Sequence, residues 1–291
     1  MTEATSAGRQ PRDRAFTQVD VFTAEPYRGN PVAVVLDADG LDADAMQRFA
    51  AWTKLSETTF VCAPTAPGAD YRLRIFTPAR ELPFAGHPTL GSAHAWLTSG
   101  DASRPEDRIG DVVQECGAGL VRIRRDGGRL AFAAPPTVRS GPPDEQTLAL
   151  VTTGLRIEPD QVVAARWVDN GPGWLGVLLA DADAVRAVEP DVTALSGLNV
   201  GIVGLEPVGG PVRAEVRAFA VGAGVAEDPV TGSLNASLAQ WLIGEGVLPP
   251  SYVAAQGSRV GRAGRVHVDA DGDDVWVGGN VVTCIRGTVR L

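Results

Sequence analysis

The chain has 291 residues, 44% of them apolar and 21% charged, which is enough apolar material for a core that needs neither disulfides nor metals. A net charge of −9 without any basic stripe argues against nucleic acid as a partner. No apolar run reaches the roughly 18 residues of a membrane helix, the N-terminal stretch has no apolar leader, and Cys62, Cys116 and Cys284 form no C-x-x-C pair, so a reduced, cytoplasmic protein is expected.

Residues 1–16 are polar and are expected to be disordered. From Thr17 to Val35 the pattern is strand, turn, strand, with TAEPYRGNP as the turn. Asp42–Lys54 reads as a helix: Leu41, Met46, Phe49, Ala50 and Trp52 recur at helical spacing, and Asp42 or Asp44 is placed to cap it. SETTFVC (56–62) and YRLRIF (71–76) read as strands, and Pro88 opens a small-residue helix to about Leu97. Strands are expected at 119–124 and 129–133, before a Pro-rich segment. The second half restarts with a short helix at 148–155 and strands at 161–168, 174–179, 200–203 and 212–219. A second small-residue helix spans Gly232–Gly244, and three short strands, 260–269, 274–279 and 281–290, close the chain.

An internal repeat organises these elements. Residues 74–92 read R-I-F, ten residues, H-P-T-L-G-S; residues 217–233 read R-A-F, eight residues, D-P-V-T-G-S. Both following helices carry Trp-Leu near their ends, Trp96–Leu97 and Trp241–Leu242. Two copies imply two domains of one design. The last strand has no partner in the second half by this reading, so domain one is expected to span 1–128 plus 282–291, and domain two 129–281.

Proline in a first helical turn sacrifices no hydrogen bond, because the first N–H groups have no helical partner. Those N–H groups and the helix dipole favour an anion. Two such ends facing each other would hold a carboxylate and present His87 from one half and Asp228 from the other. Gly86, Gly91 and Gly232 would admit a substrate close to the backbone, with Ser92 and Ser233 as donors. The alternative is plain helix capping with proline stops. Asn30 in RGNP is read either as a carboxylate ligand or as a turn asparagine.

Several segments together resemble the PhzF-type phenazine-biosynthesis family of the diaminopimelate-epimerase-like superfamily: VDVFTAEPYRGNPVAVVL (19–36), LSETTFV (55–61), RIFTPARELPFAGHPTLG (74–91), DNGPGWLGVLL (169–179), AEDPVTGS (226–233) and QGSRVGRAGRVHV (256–268). The resemblance runs from about residue 17 to 291. It implies an α+β fold of two pseudo-symmetric domains, each an antiparallel or mixed sheet curled around a central helix. It also implies a cleft active site, a homodimer, and no metal or organic cofactor. The glutamate matching Glu57 is then the general acid/base, with the positions of His87, Asp228 and Ser233 around the substrate. The residues agree with this role: no Lys or Arg lies within five positions C-terminal of Glu57, so burial would raise its pKa toward roughly 6–7, where a carboxyl both takes and returns a proton. Without the resemblance, an exposed strand glutamate is the competing reading.

Racemases of this superfamily oppose two thiols near the central helices; here no cysteine is close to His87 or Asp228 in sequence, so two-thiol racemisation is not expected. Val221 and Leu234 depart from the family pattern and are expected to bear on the pocket. Gly222-x-Gly224 lacks the rest of a dinucleotide fingerprint, no zinc-binding spacing occurs, and His94 and His267 read as structural. Arg259, Arg262 and Arg265 read as loop charges or an anion site. The expected activity is a proton shift on a small carboxylate-bearing amino or hydroxy acid by Glu57, with Asp228 and His87 orienting the substrate and backbone N–H groups around Gly86, Pro88, Thr89, Gly232 and Ser233 holding its carboxylate. An epimerase or dehydratase, and a non-catalytic ligand-binding protein, are the competing functions.

Overall fold

The computed structural model describes residues 11–100, 110–195 and 197–291. The first half runs β1 (Asp13–Val21), β2 (Asn30–Val35), α1 (Ala43–Thr53), β3 (Thr58–Cys62), β4 (Tyr71–Phe76), the two-residue β5 (Glu81–Leu82), α2 (Gly86–Leu97), β6 (Val112–Cys116), β7 (Gly119–Asp126) and β8 (Arg129–Ala133). β9 (Arg139–Gly141) and α3 (Glu145–Leu155) lead to β10 (Val162–Asp169), β11 (Trp174–Leu179), α4 (Ala182–Ala187), β12 (Asn199–Leu205) and β13 (Ala214–Ala220). Then follow α5 (Gly232–Gly244), β14 (Ser251–Gln256), β15 (Gly264–Asp271), β16 (Asp274–Gly279) and β17 (Val281–Arg290).

Strand pairing displays the duplication more clearly than the sequence does. In the first half β1–β2 is antiparallel, β2–β3 parallel, β3–β4 antiparallel, β4–β6 parallel, and β6–β7 and β7–β8 antiparallel. The second half repeats that order of senses through β10, β11, β12, β13, β14, β15 and β16. The parallel steps need crossover helices: α1 lies between β2 and β3 and α4 between β11 and β12, while α2 and α5 follow β4 and β13. Pairing of β8 with β16 joins the halves into one mixed sheet. β17 returns to pair with β1, and β9 pairs with β10.

Each sheet curls around one helix. α2 touches β1, β2, β3, β4, β6, β8 and β17, and α5 touches β10, β11, β15 and β16. Both helices are apolar or small on every side, the pattern of a helix enclosed by protein, and nearly all of α2 is buried. Fully buried side chains such as Leu90 and Leu242 each contribute about 1.5–3 kcal/mol. The peripheral helices α1, α3 and α4 are capped by Asp42, Asp144 and Asp181, whose carboxylates accept from the N–H three residues on. α2 and α5 carry no side-chain cap.

Several expectations change. The first strand starts at Asp13, inside the stretch read as disordered, because it pairs with β17 and β2; residues 1–10 lie outside the described residues. Trp52 was placed on the apolar face of α1, yet it is 76% exposed and stacks on Phe49. α2 starts at Gly86, two residues before Pro88. The Gly-Ser pairs of the repeat are therefore not equivalent: Gly232 opens α5, whereas Gly91 lies inside α2, where an added Cβ would meet Val32, Val19 and Val21. β6, α4 and β14 are additional elements, while β17 has the bounds expected for it.

Candidate active site

The uncapped starts of α2 and α5 meet. A Cβ added to Gly86 would lie 3.4 Å from the Gly232 Cα and 2.7 Å from the Phe132 ring, so only glycine permits the approach. The free N–H groups of both first turns and their dipoles thus converge on one spot. In α2 these are the N–H groups of Gly86 and His87; Pro88 has none, and the Thr89 N–H is already bonded to the Ala85 carbonyl at 3.1 Å. Thr89 is deeper still through its side chain, which accepts from Gln114 at 3.0 Å. Ser92 donates to Thr59 at 2.8 Å, so its hydroxyl serves the core beneath the site.

Glu57 sits on the lip just before β3, not within the strand. Its side chain is 15% exposed, so a ligand can reach it, while Oε2 lies 3.2 Å from Nε2 of buried His87. The two atoms are at hydrogen-bond distance without an aligned bond, and neither has another partner. Burial pushes the Glu57 carboxyl up to about 8, with the nearby Asp228 charge adding to the rise. Burial drives His87 down to about 3, opposed by its hydrogen bond to the Pro31 carbonyl. His87 is therefore neutral and its contact with Glu57 is no ion pair. With Nδ1–H on Pro31, the Nε2 lone pair faces Glu57.

Asp228 arrives from the other half, four residues before α5, held by an antiparallel bridge to Ala218. Asn30, the first residue of β2, donates through Nδ2 to Asp228 Oδ1 at 3.0 Å and to the Val230 carbonyl at 2.9 Å. The Asn30 Oδ1 atom is buried and unpartnered. Asn30 is thus a strut across the two halves as well as a group facing the site. Thr231 donates to Asp228 Oδ2 at 2.5 Å. Burial raises Asp228 to about 6 against the lowering effect of these two donors. Near neutral pH the pair consequently holds one proton, on Glu57.

Three contributors escaped the sequence reading. Trp174 Nε1 donates to the Ser233 hydroxyl at 3.0 Å, leaving the Ser233 proton free to point elsewhere. Asn170 donates to the Ser233 carbonyl at 3.1 Å and keeps a buried, unpartnered Oδ1. Gln256 ties Thr231 to Asn235. The signal available for all three was a polar or indole group beside glycine inside DNGPGW and QGSRVGR. By contrast, Leu234 is fully buried, with its methyls where Gly201 has no side chain, so it fills core. Val221 packs against the apolar cluster that contains Leu155, Leu175, Val200 and Phe219. Arg259 meets Glu189 and Arg262 the Gly29 carbonyl. His94 bonds Thr283, and His267 accepts from Arg129. Two surface cavities, one near His94 and Arg125 and one near Arg124 and Trp276, include none of the site residues.

A family model described as phenazine biosynthesis-like protein matches residues 19–287. Antisense-enhancing sequence 1 of Schizosaccharomyces pombe is 39% identical over 295 residues, covering 94% of this chain and 98% of its own. A trans-2,3-dihydro-3-hydroxyanthranilate isomerase of Pseudomonas aeruginosa is 36% identical over 290 residues, covering 95% and 99%. Among solved structures, a phenazine biosynthesis protein of the PhzF family from Enterococcus faecalis superposes with a TM-score of 0.79 at 25% identity, covering 96% of this chain and all of its own. Duplicated fold and relatives define a PhzF-like isomerase. The chain belongs to the PhzF family of phenazine biosynthesis-like proteins.

Proposed function

We propose that the protein shifts a proton along a small carboxylate-bearing amino or hydroxy acid, moving a double bond, with Glu57 as the general acid/base. The observation that carries this reading is the protonatable Glu57 carboxyl, paired with Asp228 and neutral His87, beside two uncapped helix starts. The substrate carboxylate binds the N–H groups of Gly86, His87, Gly232 and Ser233. In its ionised form, a minor fraction near neutral pH that grows as pH rises toward 8, Glu57 takes a proton from a carbon acidified by an adjacent C=C or C=O. The electron pair enters the π system, the double bond moves, and Glu57 returns the same proton to the far carbon on the same face, so no co-reactant is needed. The helix-start N–H groups stabilise the charge that develops. Asp228 accepts a hydrogen bond from the substrate's ammonium or hydroxyl, and neutral His87 accepts one at Nε2 from protonated Glu57 or from substrate. The reading includes a cytoplasmic homodimer and the return of 282–291 to the first domain, which the pairing of β17 with β1 supports; its boundary at 128/129 falls in the turn before β8, the strand of the first half that pairs with both β7 and β16 and so joins the halves.

The test is incubation with trans-2,3-dihydro-3-hydroxyanthranilate, and with a panel of unsaturated amino and hydroxy acids, followed by NMR in deuterated water. A shifted double bond with partial retention of the substrate's own hydrogen supports the reading. Epimerised or dehydrated products alone, ligand binding without any turnover, or normal turnover by Glu57→Gln overturns it.

A further inference from the structure

Gln256, at the end of β14, is 1% exposed and has all four of its amide hydrogen-bonding positions engaged. Its Oε1 accepts from the Thr231 N–H at 3.0 Å and from Asn235 Nδ2 at 2.8 Å. Its Nε2 donates to the Thr231 hydroxyl oxygen at 2.9 Å and to the Asp228 carbonyl at 3.1 Å. Rotating the amide would set NH2 against two donors, so its orientation is unambiguous. Asn235 is held in turn by donating to the Thr231 carbonyl at 2.9 Å. Thr231 therefore receives a hydrogen bond on its oxygen, and its single proton is directed to the remaining acceptor, Asp228 Oδ2, at 2.5 Å.

We propose that Gln256 is a positioning residue for the reaction: by occupying the acceptor side of the Thr231 hydroxyl it aims that proton at Asp228, and so keeps Asp228 an oriented acceptor beside Glu57. The first half carries the matching arrangement without the carboxylate. There Tyr71 donates to Gln114, and Gln114 to Thr89 on α2. A glutamine braced against a polar residue in the first turns of the central helix is thus common to both halves; only in the second does it end on an acid. The other charged or titratable groups around Asp228 are accounted for. Glu57 before β3 lies close enough for the Asp228 charge to raise it, and neutral His87 on α2 lies behind Glu57. Arg217 on β13 is paired with Glu227 at 2.9 Å. Arg262, in the turn after β14, bonds the Gly29 carbonyl. The donors that reach the Asp228 carboxylate oxygens are Thr231 and Asn30.

The proposal rests on the reading of Asp228 and Glu57 as the reactive pair, but its test needs no turnover, so the two can fail separately. The Asp228 carboxyl carbon is titrated by 13C NMR in the full chain, its resonance assigned by its loss in Asp228→Asn. A hydrogen bond to a charged group is worth ~1.5–3 kcal/mol, so in Gln256→Met and in Thr231→Val the midpoint should rise by about one to two pH units. Thr231→Ser, which keeps the hydroxyl, should stay near wild type, and the double variant Gln256→Met/Thr231→Val should shift no further than either single one. A Gln256→Met protein that melts earlier with an unmoved Asp228 midpoint would reduce Gln256 to a helix brace and overturn the proposal. If Gln256→Met does not fold, Thr231→Val decides alone: no shift there also overturns it.

Discussion

Replacing Glu57 by Gln should make the protein more stable and nearly inactive. The carboxyl titrates at 4.5 in its ordinary state and at about 8 in the folded protein. Between those values the unfolded chain releases a proton that the folded chain retains, so stability falls as pH rises through this window. Glu57 therefore contributes no penalty below the ordinary value and a growing one above it. At pH 7 the difference converts to about 3 kcal/mol, and it levels off at about 5 kcal/mol above the window. Gln is neutral throughout, keeps the shape, and can donate its amide N–H to the Nε2 lone pair of His87 3.2 Å away. Urea denaturation at a series of pH values should give curves that coincide near pH 4.5 and diverge by about 3 kcal/mol at pH 7, with Gln the more stable. Loss of the proposed general base should lower turnover by ~10²–10⁴-fold. Parallel stability curves across the window would show that Glu57 is not held protonated by the fold, and the reasoning from burial would be wrong.

Asp228→Asn leaves the burial that raises Glu57 but removes the charge that adds to it; the rise of kcat/KM with pH should move to lower pH by about one unit, while its maximum falls as substrate orientation is lost. Trp174→Phe leaves the Ser233 oxygen without its donor; KM for a carboxylate substrate should rise about fivefold, one neutral hydrogen bond, with the melting temperature little changed. Gly86→Ala puts a methyl 2.7 Å from the Phe132 ring at the junction of the two helix starts; thermal unfolding should show about 1–3 kcal/mol of destabilisation, and binding of a carboxylate ligand should weaken with it.

Much of the architecture was legible because it depends on local chemistry. The α1 boundaries follow from the Asp42 cap and the apolar spacing, and both central helices announce themselves as runs of small and apolar residues enclosed on every side. Elements set by distant partners were not legible. β14 pairs in parallel with β13 across α5, and β6 with β4 across α2, so one edge of each is set by a strand on the far side of a helix, although the other edge forms an antiparallel pair with the next strand. Asp13–Phe16 is polar enough to read as disordered, yet it pairs along its whole length with β17, and β2 joins it from Phe16 onward. The repeat revealed the duplication but offered the wrong register, since matching H-P to D-P equates a residue inside α2 with one four residues ahead of α5. The site suffers from the same limit. Glu57, His87 and Asp228 carry titratable groups and could be singled out, whereas Trp174 and Gln256 matter through the direction they impose on a hydroxyl, which only coordinates reveal.

The topology also bears on why one carboxyl should do the work. The two halves repeat the same strand senses, so a position in one has a counterpart in the other. Glu57 immediately precedes β3; its counterpart before β12 is Leu198. Counting from the helix starts, His87 corresponds to Ser233, and Asp228 to Leu82. A site built for inversion at carbon needs a proton carrier on each face, and a duplicated fold is well suited to supplying two alike. Here the halves have diverged in kind: one contributes a carboxyl raised to about 8 and a neutral imidazole, the other a more acidic carboxyl and a serine. The cysteines provide no substitute, since Cys62 is buried in β3 and Cys116 and Cys284 lie in β6 and β17. Like charges placed close together separate two titrations, and the separation leaves Glu57 as the group that holds the proton and Asp228 as the group that stays charged. A single carrier on one side of the cleft fits a proton that leaves and returns on the same face of the substrate.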